Sequence, residues 1–308
     1  MKKKSIFKII PFVALGFLLS SCLKDDLYTA DTDEAVNTIE FADPEQAGDA
    51  DHLYPVFEQY FEVVPSGDGE ITISYSGGKP APQDIIVDVQ IDQSALNRYN
   101  ARIIEVARQA AIEAGEDPDD AEEEAQAELY DLMPTSLYTL SATQVTIKKG
   151  ESKVKIEVST KPDQYDFSYR YVLPLTISSV SSGTISGTFN TVFYYFGALN
   201  DYDGTYKYTT TANTSLVPNA NKSVKLLTAG AYKLKLSPGL LGTYSNEVIY
   251  TIDPATNGVT VECPSLGVQT PQDTRSKYDP ATKTFTVFWK QGNGGRTFEE
   301  TFVYTGPR

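Results

Sequence analysis

Two cysteines, a single histidine and 41 carboxylates are the groups through which this 308-residue chain could do chemistry. With His52 as the lone imidazole, Ser-His-Asp triads and multi-histidine zinc sites are excluded. Ser186 lies in Gly183-Thr-Ile-Ser-Gly187, which lacks the Gly-x-Ser-x-Gly spacing of a nucleophile elbow. No phosphate-cradling or dinucleotide fingerprint occurs. Asn200-Asp-Tyr-Asp-Gly204 brings two carboxylates together without the far glutamate of a calcium loop, so it reads as a turn opening a domain. Asp117–Glu124 has neither the glycine nor the spaced ligands of such a loop, and reads as a solvated helix start. The sequence therefore assigns no catalytic residue, no metal site and no cofactor. A net charge of −15 also argues against a nucleic-acid partner, which would require a basic stripe.

The chemistry that the sequence does specify is at the N-terminus. Lys2, Lys3, Lys4 and Lys8 precede an apolar run from Ile9 to Leu19, too short to span a bilayer and of signal-peptide length. The run ends in Leu19-Ser-Ser-Cys22, which resembles the lipobox of bacterial lipoproteins, where a thiol after small residues accepts diacylglycerol. Residues 1–21 are then a lipoprotein signal peptide and Cys22 the lipidation site. Lys24, Asp25 and Asp26 follow at once and resemble the surface-export signal of Bacteroidetes lipoproteins. The expected address is the outer membrane, lipid-anchored, facing the cell exterior, with no other membrane contact. Lipidation leaves Cys263 without a disulfide partner. It sits in an alternating strand and reads as a buried, inert thiol.

The remaining chain divides into an acidic tether at 22–50, a domain at 51–196 and a second domain at 197–308. Ile71, Ile73 and Tyr75 alternate with Thr72 and Ser74. The same period recurs at Ile85–Ile91, Val154–Val158, Tyr171–Ile177 and Thr188–Phe196. Strands separated by turn signals specify a mainly β fold, an immunoglobulin-like sandwich. One stretch breaks the period: Leu96, Tyr99, Ile103, Ala107, Ala110 and Ala114 form a helical stripe. Gly115 suits a helix stop, Asp117 an N-cap and Pro118 a first helical position, so residues 94–131 read as an inserted helical hairpin. The second domain is expected to be an antiparallel barrel or sandwich, with strands at 204–212, 223–236, 246–252, 257–263, 283–290 and 297–305. Its repeated Asp253-Pro-Ala-Thr256 and Asp279-Pro-Ala-Thr282 read as turn punctuation.

Several runs carry a family resemblance: Asp92-Gln-Ser-Ala-Leu-Asn-Arg-Tyr-Asn100, Leu132-Met-Pro-Thr-Ser-Leu-Tyr138, Val145-Thr-Ile-Lys-Lys-Gly150 and Tyr171-Val-Leu-Pro-Leu-Thr-Ile177. Together they resemble a Bacteroidetes outer-membrane lipoprotein domain of unknown function found beside SusC/SusD-like glycan-uptake proteins, over about residues 40–196. The tail, from Tyr202-Asp-Gly-Thr-Tyr206 to Phe302, resembles the small β-domain that often follows it. The resemblance implies a cell-surface accessory of polysaccharide capture, partnered by a polysaccharide or oligosaccharide and by a SusC/SusD-like complex. It carries no catalytic residues over. The family has only a short link where this chain has its helices.

Sugar binding requires flat aromatic faces, and the chain has 20 tyrosines. In the strand Lys283–Lys290, Trp289 shares the face of Phe285 and Val287 and is expected in the core, whereas Phe288 lies on the other face. Phe288, with Asn293 and Arg296 of the adjoining Gly-rich hairpin, is the candidate glycan site. Glu300 shares a face with Phe298 and Phe302 and is expected buried, satisfied by Tyr or Arg. Phe193-Tyr-Tyr-Phe196 has aromatics on both faces and is expected to pack on the second domain. The alternatives to a non-catalytic glycan binder are a structural or adhesive pilus-like subunit and, behind it, a glycoside hydrolase.

Overall fold

The computed structural model describes residues 36–42 and 48–308. The signal peptide, Cys22, Lys24, Asp25 and Asp26 lie outside the described residues. In chain order the first domain comprises β1 (Thr38–Phe41), β2 (Val56–Glu62), β3 (Gly67–Ser76), β4 (Ile85–Ile91), α1 (Gln93–Ala114), α2 (Pro118–Gln126), β5 (Asp131–Leu132), β6 (Tyr138–Leu140), β7 (Gln144–Ile147), β8 (Lys153–Thr160), β9 (Tyr171–Val180), β10 (Thr184–Ile185) and β11 (Thr191–Leu199). Two sheets form a sandwich: β10-β1-β3-β8-β6, and β2-β11-β9-β4-β7 with β5 beside β9.

The sandwich core follows from the alternation. Ile71 and Ile73 of β3 and Ile156 and Val158 of β8 meet Val87, Leu173, Leu175 and Val192 of the facing sheet, all nearly inaccessible. Each such side chain contributes about 1.5–3 kcal/mol by leaving water. Three pairings depart from a purely antiparallel sandwich. β2 runs parallel to β11, β1 parallel to β10 and β5 parallel to β9. β1 also falls inside the stretch expected to be tether, where Ile39 and Phe41 fill the core.

The helical insertion forms with its expected caps. Gly115 adopts φ 75°, Asp117 accepts from the Asp119 amide, and Asp92 caps α1 by accepting from the Ala95 amide. The insertion docks closely on the sandwich. Ala95, Leu96 and Tyr99 cover Val172 and Phe193 on the outer face of the second sheet. This explains why β9 is buried on both faces from Tyr171 to Leu175. Beyond Ile103 the stripe turns: Ala111, rather than Ala110 or Ala114, is buried, because there α1 packs on α2 and its Ala125 instead of on the sheet. Arg108 ties the pair together through Asp119 (2.8 Å) and Glu122 (2.5 Å).

The second domain has β12 (Gly204–Thr210), β13 (Asn221–Gly230), β14 (Lys233–Ser237), β15 (Ile249–Ile252), β16 (Val259–Glu262), β17 (Lys277–Asp279), β18 (Thr284–Lys290) and β19 (Thr297–Gly306). The expected strand 223–236 is a hairpin, folding back at Gly230, whose φ of 155° lets the chain reverse at a bulge. The order β16-β15-β14-β13-β12-β19-β18-β17 is an antiparallel meander. Its two ends meet, with Gly258 bridging Lys277 and the Val259 amide donating to the Ser276 carbonyl. Of the two expected architectures, the curled, nearly closed barrel is the one formed. Side chains complete the seam. The Gln272 amide bonds both the N–H (2.7 Å) and C=O (2.9 Å) of Val261, and the Ser276 hydroxyl does the same for Phe288 (2.9 and 3.0 Å).

The barrel interior is packed. Trp289 stacks on Phe298 at 4.0 Å, and both are buried, as is Cys263. Glu300 points inward and accepts from Tyr208 Oη (2.7 Å), Tyr250 Oη (3.1 Å) and Trp289 Nε1 (2.8 Å). Burial pushes its carboxyl above the ordinary value, and the three donors pull it partway back. Asn200 and Asp203 fasten the domain's start. Asn200 Nδ2 donates to the Gly230 and Lys233 carbonyls, and Asp203 accepts from Thr228 and Arg308. Both Asp-Pro-Ala-Thr copies form the same turn, each Asp accepting from the amide two residues on and the Thr hydroxyl three residues on.

Candidate functional site

Four separated segments converge where the sandwich meets the barrel. β2 brings Tyr60, the turn before β9 brings Tyr169 and Arg170, β11 brings Tyr195, and the turn after α2 brings Glu128. With Leu227, Thr228 and Arg308 of the barrel they line a cleft of about 350 Å³. The parallel pairing of β2 with β11 sets Tyr60 opposite Gly197. A Cβ on Gly197 would lie 2.5 Å from the Tyr60 ring, so only glycine lets that ring lie across the strand. The turn at 166–169 is held by Asp166, whose side chain accepts from the Ser168 amide and whose carbonyl accepts from the Tyr169 amide.

The cleft has two open platforms. Tyr169 is 51% exposed and stacks on Tyr171 at 5.6 Å and 21°. Tyr60 is 44% exposed and meets Tyr195 edge-on at 5.8 Å. Behind them the Arg170 guanidinium lies 4.6 Å from the Tyr130 ring centre and 5.9 Å from that of Tyr195. Arg170 also donates to the Glu128 carbonyl and, at 2.7 Å, to its carboxylate. Tyr60 donates to Glu58 (2.9 Å). Burial, reinforced by that carboxylate, pushes the Tyr60 phenol up, and burial raises Tyr171 and Tyr195 and takes Tyr165 to about 12. All four hydroxyls therefore stay protonated at neutral pH. The arrangement offers apolar faces edged by planar charged and hydroxyl groups, which suits a ligand with alternating C–H and O–H surfaces.

The aromatic run Phe193–Phe196 divides between faces. Tyr194 and Phe196 join the sandwich core. Phe193 packs on Tyr54 (5.3 Å) and Tyr99 (5.0 Å), and Tyr195 on Tyr130 (5.8 Å). Its outward side chains are thus covered chiefly by the helical insertion, with the second domain forming only the far wall of the cleft. No single-segment pattern reveals the cleft.

The residues singled out in the barrel are not brought together with it. Phe288 is half-buried, and Arg275 lies 4.2 Å from its ring centre, held there by Asp273 at 2.6 Å. That guanidinium occupies a face a sugar would use. Phe288 lines a smaller hollow of about 120 Å³, with Gln269, Gln272 and Lys290 among its walls. Asn293 and Arg296 are exposed on the β18–β19 hairpin and do not line that hollow, and the Asn293 side chain accepts from the Gly295 amide. The meander puts this hairpin at the opposite end of the barrel from Thr228 and Arg308. Among the described residues, no group of three or more His, Cys, Asp or Glu is placed to hold a metal ion, and no helix is long and apolar enough to cross a membrane.

Two family models match, one to each domain. A model described as an N-terminal domain matches residues 41–184, and a domain of unknown function, DUF7015, matches residues 204–306. No curated protein matches the chain. Among solved structures, a Bacteroides ovatus protein of unknown function is similar at 14% identity and TM-score 0.57, covering 87% of this chain and 93% of that one. A multidomain B. ovatus protein including DUF1735 is similar at 14% identity and TM-score 0.54, covering 86% and 92%. An auxiliary nutrient-binding protein from Bacteroides thetaiotaomicron is similar at 15% identity and TM-score 0.48, covering 81% and 89%, a likeness too loose to bear on function. The first two establish that the two-domain β architecture recurs, at similar length, in Bacteroides proteins.

Proposed function

We propose that this protein is a cell-surface lipoprotein that binds a polysaccharide or oligosaccharide without transforming it, as an accessory of glycan uptake. The observation that carries the reading is the tyrosine-lined cleft, with Tyr60 and Tyr169 open to solvent and Arg170 and Glu128 at its edge. The proposed anchor is a lipid on Cys22, and Lys24-Asp25-Asp26 directs the protein to the outer face of the outer membrane. The site moves from Phe288, Asn293 and Arg296 to the cleft, because Arg275 covers Phe288. The cleft carboxylates are already engaged, Glu128 by Arg170 and Asp166 by the Ser168 amide, which favours binding over hydrolysis. The adhesive alternative needs a strand that can be displaced. β19 is hydrogen-bonded to β12 and β18, so releasing it would break two ladders.

The test is retardation of the chain from residue 23 onward, both domains intact, in gels containing plant or host polysaccharides, with chromatography of each polysaccharide after overnight incubation. Retardation with unchanged chain length supports the reading. Chain shortening moves the protein to the hydrolases, and no retardation across a broad panel favours the adhesive alternative.

A further inference from the structure

The cleft's charge specifies the class of glycan, an argument that rests on the cleft being the glycan site. Among the described residues, two bases line it, Arg170 and Arg308, and no lysine. Arg170 is held by Glu128 at 2.7 Å and donates as well to that residue's carbonyl. Arg308 is held by Asp203 at 2.7 Å, and the Asp203 side chain is only 5% exposed. Asp203 in turn accepts from the amide (2.7 Å) and hydroxyl (2.8 Å) of Thr228, so its charge is fixed in place.

Among the described residues, a carboxylate or sulfate entering this cleft meets no unpaired cation. To be recognised it must displace Glu128 or Asp203 from its arginine, and the displaced carboxylate then repels it. The face beside Tyr60 is more hostile still, since Glu58 already accepts the Tyr60 hydroxyl. Neutral sugar hydroxyls need no such exchange. They can donate to the carboxylate lone pairs left over by the ion pairs and accept from the guanidinium edges, while C–H faces lie on Tyr169 and Tyr60. We infer that the cleft selects uncharged glycans and that the Arg170–Glu128 pair is what excludes uronate-containing and sulfated chains.

Removing the Glu128 charge should therefore give a gain of anion binding. Calorimetry would compare neutral gluco-, manno- and xylo-oligosaccharides with oligogalacturonate, oligoalginate and heparin fragments, against the wild-type chain, Glu128→Gln and Tyr169→Ala. The wild type should bind a neutral oligomer and none of the anionic ones. Glu128→Gln frees Arg170 and should raise the ratio of anionic to neutral affinity at least about tenfold. Tyr169→Ala should weaken neutral binding about tenfold. Wild-type binding of anionic oligomers that is lost in Tyr169→Ala would overturn the inference and leave the cleft as a glycan site. No gain in Glu128→Gln would refute the role of the pair. Neutral binding untouched by Tyr169→Ala would refute the cleft itself.

Discussion

Replacing Glu300 with the somewhat larger leucine removes the acceptor at the centre of the barrel. Three donors then lose their partner: Tyr208 Oη, Tyr250 Oη and Trp289 Nε1, all on buried residues. A buried donor without a partner costs about 1–3 kcal/mol. The desolvation cost of the carboxylate itself, which raises its pKa, is relieved in the same step and offsets part of that loss. The net expectation is a barrel less stable by about 3–5 kcal/mol in Glu300→Leu and about 1–2 kcal/mol in Glu300→Gln, which keeps an acceptor. The assay is built in, because Trp289 is the chain's only tryptophan and reports urea unfolding of this barrel by its fluorescence. The native state holds the Glu300 proton more tightly than the unfolded chain, so wild-type stability should fall, relative to Glu300→Gln, as pH rises from the ordinary carboxylate range through the raised native value. A Glu300→Leu midpoint equal to wild type, or a wild-type advantage that grows with pH, would refute the reasoning.

Replacing residues 94–131 by a Gly-Ser link should destabilise the sandwich, because it strips Leu96 and Tyr99 from Val172 and Phe193, whereas removing only 104–127 should leave thermal unfolding by circular dichroism much less affected. Trp289→Ala should cost about 3–5 kcal/mol and Phe288→Ala well under half of that, read by urea titration followed by circular dichroism. Gly197→Ala should push the Tyr60 ring aside and weaken glycan retardation without unfolding β11, measured on the same gels. Cys22→Ala should release the protein from membranes, and Asp25→Ala with Asp26→Ala should shield it from protease added to intact cells. Quantitative membrane retention, or unchanged protease sensitivity, would contradict these assignments.

Local signals were legible where the chemistry is local. Gly115, Asp117 and Pro118 mark the helix junction because left-handed backbone, an amide acceptor and a missing N–H are each needed at one position. The inward register of Trp289 and Glu300 followed from the two-residue period of a strand. Strand β1 was hidden, since only Ile39 and Phe41 alternate there amid acidic sequence. The rotation of the α1 stripe to Ala111 depends on α2, which approaches from a different side than the sheet does. The cleft was out of reach for the same reason at larger scale. Tyr60 and Tyr195 are joined by a parallel pairing across more than 130 residues, and Arg170 meets Glu128 only because β5 lies beside β9. A sequence pattern reports the face on which a side chain lies, but the opposing surface comes from the topology.

The most direct measurement of the central claim is a crystal structure of the chain with a bound oligosaccharide from the retardation panel. The account predicts a sugar ring with its C–H face about 4 Å from the Tyr169 ring, a second against Tyr60, and hydroxyls bonded to Glu128 or Arg170. Sugar bound instead at Phe288 and the β18–β19 hairpin, with the tyrosine cleft empty, would contradict it.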